Sequence, residues 1–161
     1  MQAVHEQNIF GEHLLCHLEE KPLNLAKMTD KQLHQHSLKT VHFFRLVNRK
    51  YVLLNYSLEN TSDVLRKQIR HAFNLTKFCL QLHTLRTYRS KPEILEQAKN
   101  IFKDYDFSIL GKNLELIQQW GNAGLRQNDY CDTMENNLHY IENFSQYALN
   151  LYESNKNQCN Q

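Results

Sequence analysis

A chain of 161 residues is long enough to build one domain around its own core without disulfides or metal, and only four Gly and two Pro punctuate it. β-Branched residues are sparse while Leu, Gln, Asn, Lys and Glu abound, so the composition argues for an all-α fold and against a sandwich or barrel. The net charge of +2 hides an asymmetry: residues 1–30 carry five acids and two bases, 31–91 twelve bases and two acids, and 92–161 ten acids and five bases.

No apolar run approaches the ~18 residues of a membrane span, and the opening MQAVHEQNIFGEHLL lacks the basic and then apolar layout of a signal peptide. Cys16, Cys79, Cys131 and Cys159 lie far apart with no C-x-x-C pair. A soluble protein in reduced, cytoplasmic surroundings is the expectation.

In chain order, Val4, Asn8, Gly11, Leu15 and Leu18 are spaced by fours and threes, which predicts a short accessory helix over residues 1–20. A connector around Pro22 follows. Thr29-Asp30-Lys31-Gln32 then matches a capping box, so a helix should begin at Thr29 or Asp30. Leu33, Ser37, Thr40, Phe44, Val47, Tyr51, Leu54 and Leu58 continue the repeat for nearly four heptads. That regularity favours near-antiparallel packing, and the polar residues 55–62 predict a short turn.

Residues 61–89 are the longest uninterrupted helical pattern and the most basic one. Leu65, Ile69, Ala72, Thr76, Cys79 and His83 form one seam, flanked by Phe73 and Leu80, and Leu75, Phe78, Leu82 and Leu85 form a second. The remaining face carries Arg66, Arg70, Lys77 and Tyr88, with Lys67 at its edge. Asp63 is the only acid between Thr61 and Lys91. A helix buried by several neighbours, with one cationic side, is predicted.

Ser90-Lys91-Pro92-Glu93 is a second capping box with proline in the first turn. Ile94, Ala98, Ile101, Phe102, Tyr105 and Ile109 keep one phase, which then slips to Leu110, Leu114 and Ile117. A kink or break is expected between Asp104 and Gly111. Gly121 and Gly124 suit a left-handed cap after Trp120. The last helix should span residues 128–153, burying Met134, Leu138, Ile141, Ser145, Ala148 and Tyr152. The whole reads as a single domain over residues 1–161, an antiparallel bundle of four main helices plus the shorter N-terminal helix. Its core bundle is residues 28–155, and residues 155–161 form a frayed tail.

Candidate chemistry is thin. His13, Cys16 and His17 would share a helical face that zinc accepts, and His34, His36 and His42 could add a ligand only if the segments pack together. Nine His in 161 residues give roughly one such pair by chance, so neither metal nor cofactor is assigned. Glycine phosphate loops, activated nucleophiles and Glu-x-x-His repeats do not occur. Arg66 and His71, with four residues between them in one helix, resemble the catalytic signature of the HEPN ribonucleases, which are small helical bundles. The resemblance implies a guanidinium holding an RNA phosphate while imidazole moves the proton. It covers six residues and the general architecture. Lys67 stands where the family prefers a small polar residue, and seven Arg with nine His produce about one such spacing by accident.

The basic hairpin of residues 31–91 therefore carries the functional expectation, with Arg66, Lys67, Arg70 and Lys77 as its binding face. A non-enzymatic adaptor or regulatory protein is expected, contacting a protein partner with an acidic surface. Nucleic acid is the alternative partner, with Tyr51, Tyr56 and Tyr88 available for stacking, and self-association into a homo-oligomer is compatible with the same features. The competing expectation is that the cations meet the chain's own acids.

Overall fold

The computed structural model describes residues 28–53, 61–119 and 127–158. They form five helices, with no strand among the described residues: α1 (Asp30–Leu53), α2 (Thr61–Thr84), α3 (Lys91–Ile101), α4 (Ser108–Gln119) and α5 (Gln127–Gln158). The expected accessory helix over residues 1–20 and the expected cap at Gly121 and Gly124 lie outside the described residues, as does most of the turn before α2. No helix among the described residues is long and apolar enough to cross a membrane.

The start of α1 is set by the capping box. The Thr29 N–H donates to Gln32 Oε1 at 2.9 Å, and the Gln32 N–H donates back to Thr29 Oγ1 at 3.3 Å. From there Leu33, Ser37, Thr40, Val41 and Phe44 are buried. Asn48, absent from the expected seam, is buried as well, and its Nδ2 donates to the Leu138 carbonyl oxygen at 3.0 Å. A helical carbonyl has a second lone pair to offer, so this amide is accommodated without breaking the α5 ladder.

The central member is α2, which packs against each of the other four helices. Of its predicted seams, Leu65, Ile69, Ala72, Thr76 and Cys79 are buried on the first and Leu75 and Leu82 on the second, while His83 and Phe78 are half-buried and Leu85 lies past the helix end. The helix ends at Thr84, five residues short of the predicted stretch. The Thr84 hydroxyl donates to the Leu80 carbonyl and accepts from the Arg86 N–H, while Leu85 takes a positive φ of 56°. That is the left-handed cap conformation usually given to glycine, here adopted by leucine.

Cross-contacts fix the direction of the long helices. Against α2, α1 runs the opposite way: His34 Nε2 bonds the Leu82 carbonyl oxygen at 2.9 Å, and the Phe44 ring lies 5.4 Å from that of His71. It also opposes α5, with His34 beside Tyr152 and Arg45 beside Glu142. By the same test α2 and α5 run in the same sense, because Thr76 meets Tyr140 and His83 Nε2 bonds the Ala148 carbonyl oxygen at 3.0 Å.

The predicted phase slip is a true break over residues 102–107. Ser90 and Glu93 close the second capping box ahead of it, and α3 stops at Ile101. Phe102 and Phe107, both buried, then meet the Phe144 ring at 5.2 Å each, and Tyr105 approaches the same ring at 4.9 Å. This aromatic cluster anchors the break on α5. Asp106 restarts the chain as α4 by accepting from the Ser108 N–H and hydroxyl at 2.9 and 2.8 Å. Gly111 lies inside α4 and not at the break.

Candidate functional site

At 100° per residue, Arg66, Arg70 and Lys77 fall on one stripe of α2 about 40° wide, and Lys67 stands to one side. The structure leaves Arg66, Lys67 and Arg70 exposed. Lys77 is half-buried, its Nζ 5.8 Å from the centroid of the Phe78 ring, a cation–π distance. Burial of α2 on its other sides is what forces these cations outward. Tyr88 departs from the expectation. It follows the helix end, is buried, and bonds Thr84 Oγ1 at 2.8 Å, so its ring does not belong to the cationic face.

Arg66 and Arg70 also line a solvent-open hollow together with Lys91 at the start of α3, over Ile69 and with Ile117 of α4 at its side. Lys91 was legible only as the last base of the basic segment. The hollow itself depends on how α3 and α4 fold back over α2, which spacing along one helix does not report.

Two cations of α1 reach an acid of the chain itself. Arg45 Nη2 and Arg49 Nη2 both reach Glu142 Oε1 of α5, at 2.8 and 2.7 Å, and Arg45 Nη2 also reaches Gln146 Oε1 at 2.9 Å. Hydrogen bonding from Arg49 and then Arg45 holds the Glu142 carboxyl below the usual carboxylate range. Two of the bases in the hairpin therefore meet the chain's own acid, across more than ninety residues of sequence.

Arg66 and His71, five residues apart, point about 140° away from one another. His71 is on the buried side against Phe44. Burial, and then the charges of Arg70 and Lys67, push its imidazole down to about 4, so it is neutral at pH 7. Arg66 faces the open hollow. The geometry of a shared phosphate grip and proton transfer, which the resemblance to the HEPN ribonucleases implies, is not assembled within the chain by these two side chains.

Of the metal candidates, His13, Cys16 and His17 lie outside the described residues. His34 is engaged with the Leu82 carbonyl and His36 lies edge-on to Phe78, while His42 is exposed. Among the described residues no group of three His, Cys, Asp or Glu side chains comes together that could hold a metal ion. Cys79 is wholly buried in the core, where desolvation raises its thiol far above the reactive range.

No family model matches the chain, and neither a curated protein nor a solved structure matches it. The function must be argued from the cationic face and its surroundings.

Proposed function

We propose that this chain is a non-enzymatic helical adaptor or regulatory protein that binds an acidic surface of another macromolecule through its basic hairpin. The binding side chains are Arg66, Lys67 and Arg70, with Lys77 at one end of the stripe. The observation that carries the reading is that Arg66, Lys67 and Arg70 are exposed together along the central helix. An array of cations held on a helix packed by four neighbours is preorganised, which lowers the entropic cost of meeting an anionic partner. We read the supporting architecture as an antiparallel bundle, α3 and α4 together standing in for the fourth main helix. A protein partner is favoured over nucleic acid because Tyr88 is withdrawn from the face.

The test is a titration of the full chain with poly-glutamate and, separately, with a mixed-sequence single-stranded RNA, at low and at physiological salt. The reading expects salt-sensitive binding of poly-glutamate that disappears in the triple variant Arg66→Glu, Lys67→Glu, Arg70→Glu. Tighter binding of RNA would favour the nucleic-acid alternative. Absence of binding to both at low salt would remove the reading.

A further inference from the structure

We propose that Ser90, in the connection between α2 and α3, is a phosphorylation site for a base-directed serine kinase, and that its phosphate lowers the positive charge of the basic hairpin. The acceptor site stands on its own observations, whereas its effect on binding rests on the partner reading above.

Of the seven serines in the sequence, Ser90 alone has a Lys or Arg on each side, and Arg86 lies four residues before it. The structure presents these residues together. Residues 85–90 lie outside the helices, and Arg86, Arg89, Ser90 and Lys91 are all exposed around the buried Tyr88. Ser90 itself is extended, with φ −113° and ψ 151°. Its Oγ accepts from the Glu93 N–H at 3.3 Å and, among the described residues, donates to nothing, so the hydroxyl proton is available for transfer. The other serines with described side chains differ. Ser37 and Ser145 are buried, while Ser108 donates to Asp106 Oδ2 at 2.8 Å and Ser154 to the Asn150 carbonyl oxygen at 2.9 Å.

In the reaction, Ser90 Oγ forms a bond to the γ-phosphorus of ATP held by the kinase. The bond from that phosphorus to the β–γ bridging oxygen breaks to release ADP, and the hydroxyl proton passes to the kinase's catalytic base. An acidic kinase cleft selects bases around the acceptor. Glu93, three residues on, is the kind of mark an acid-directed kinase reads, but its carboxylate accepts from the Arg89 and Ser90 N–H groups at 3.0 and 3.4 Å and is held on the backbone. The base-directed class is therefore favoured. Residues 86–93 hold three bases and one acid, a net +2, and a phosphomonoester adds about −1.5 to −2 at pH 7. The stretch becomes nearly neutral. An anion at the start of a helix is favoured by the dipole, so α3 keeps its cap and the effect is one of charge.

The experiment incubates the full chain with magnesium ATP and either the catalytic fragment of protein kinase C, which is base-directed, or the acid-directed casein kinase 2. The labelled residue is located by fragmentation mass spectrometry. The proposal expects protein kinase C to label Ser90 at least tenfold faster than Thr87, Ser108 or Ser154, and faster than casein kinase 2 does. Arg86→Gln with Arg89→Gln should slow that labelling at least tenfold, and Ser90→Asn, which keeps an N-cap side chain, should abolish it. Preferential labelling of another residue, a faster rate with casein kinase 2, or indifference to the double substitution would overturn the site. Poly-glutamate affinity is then compared before and after phosphorylation, and should fall at least threefold at low salt. Equal binding by the two forms overturns the regulatory role and leaves the adaptor reading standing. If the unmodified chain does not bind poly-glutamate, the adaptor reading and the regulatory role fall together, and the labelling still decides the site.

Discussion

Mild acid should loosen this protein through His71 before its carboxylates begin to titrate. The imidazole is 6 % exposed, packed on the Phe44 ring, and pushed down from an ordinary 6.5 to about 4 by burial and then by Arg70 and Lys67. A histidine whose folded value is depressed contributes its full stabilisation above its unfolded value and loses it as pH falls towards the folded one, because the unfolded chain takes up the proton first. Between those two values each pH unit removes about 1.4 kcal/mol, so moving from pH 7.5 to 5 should lower the unfolding free energy by about 2 kcal/mol from this residue alone. His36 and His83, also held below their ordinary value by burial, act in the same direction. Glu93, Asp106 and Glu142 are shifted down and contribute only at lower pH. The assay is urea denaturation at pH 7.5 and 5.0 of the parent, His71→Phe and His71→Gln. The parent should lose about 2 kcal/mol more than either variant over that window, equivalent to a Tm difference of about 4–8 °C in a chain of this size. Equal losses in parent and variants would refute the buried, neutral assignment.

Three further outcomes follow from particular contacts. Glu142→Gln removes the charge that joins Arg45 and Arg49 to α5 and should cost about 1 kcal/mol at low salt and less in high salt, read by denaturation at two ionic strengths. Gln81 is fully buried with neither amide atom bonded, so Gln81→Leu should raise stability by about 1–3 kcal/mol, and a clear loss of stability would show that the amide has an undetected partner. Asn113 and Asn137 exchange two hydrogen bonds inside the core, which predicts non-additivity. Either Asn→Leu change alone should cost about 1–3 kcal/mol, and the pair together less than the sum, in a double-mutant cycle.

How much of this was legible in the sequence divides along the range of the interaction. Both capping boxes are reciprocal bonds within four residues, so Thr29 with Gln32 and Ser90 with Glu93 announce their helices directly. The slip in apolar phase foretold the break at residues 102–107, but the aromatic rings that meet Phe144 place it before Gly111. The end of α2 was not readable, because Leu85 adopts a conformation for which the usual mark is glycine. Nor does the polar run past residue 153 stop α5, which continues to Gln158. Hydropathy patterns also pass over buried amides such as Asn48, Gln68 and Asn137, whose burial depends on neighbours far away in sequence. The candidate site shows the same division. The cationic side of α2 was visible as a stripe, whereas the engagement of Arg45 and Arg49 by Glu142 is a tertiary fact. So is the convergence of Lys91 and Ile117 on Arg66 and Arg70.

The central proposal is that Arg66, Lys67 and Arg70 of α2 serve a partner, while Arg45 and Arg49 of α1 tie that helix to α5. It is tested most directly by comparing poly-glutamate affinity in two charge-neutralised variants of matched size, Arg66→Gln with Arg70→Gln and Arg45→Gln with Arg49→Gln. The account predicts that the first, while still folded, loses most of its salt-sensitive affinity, and that the second keeps its affinity and melts earlier. Retention of affinity in the first variant, or its loss in a folded second variant, would contradict it.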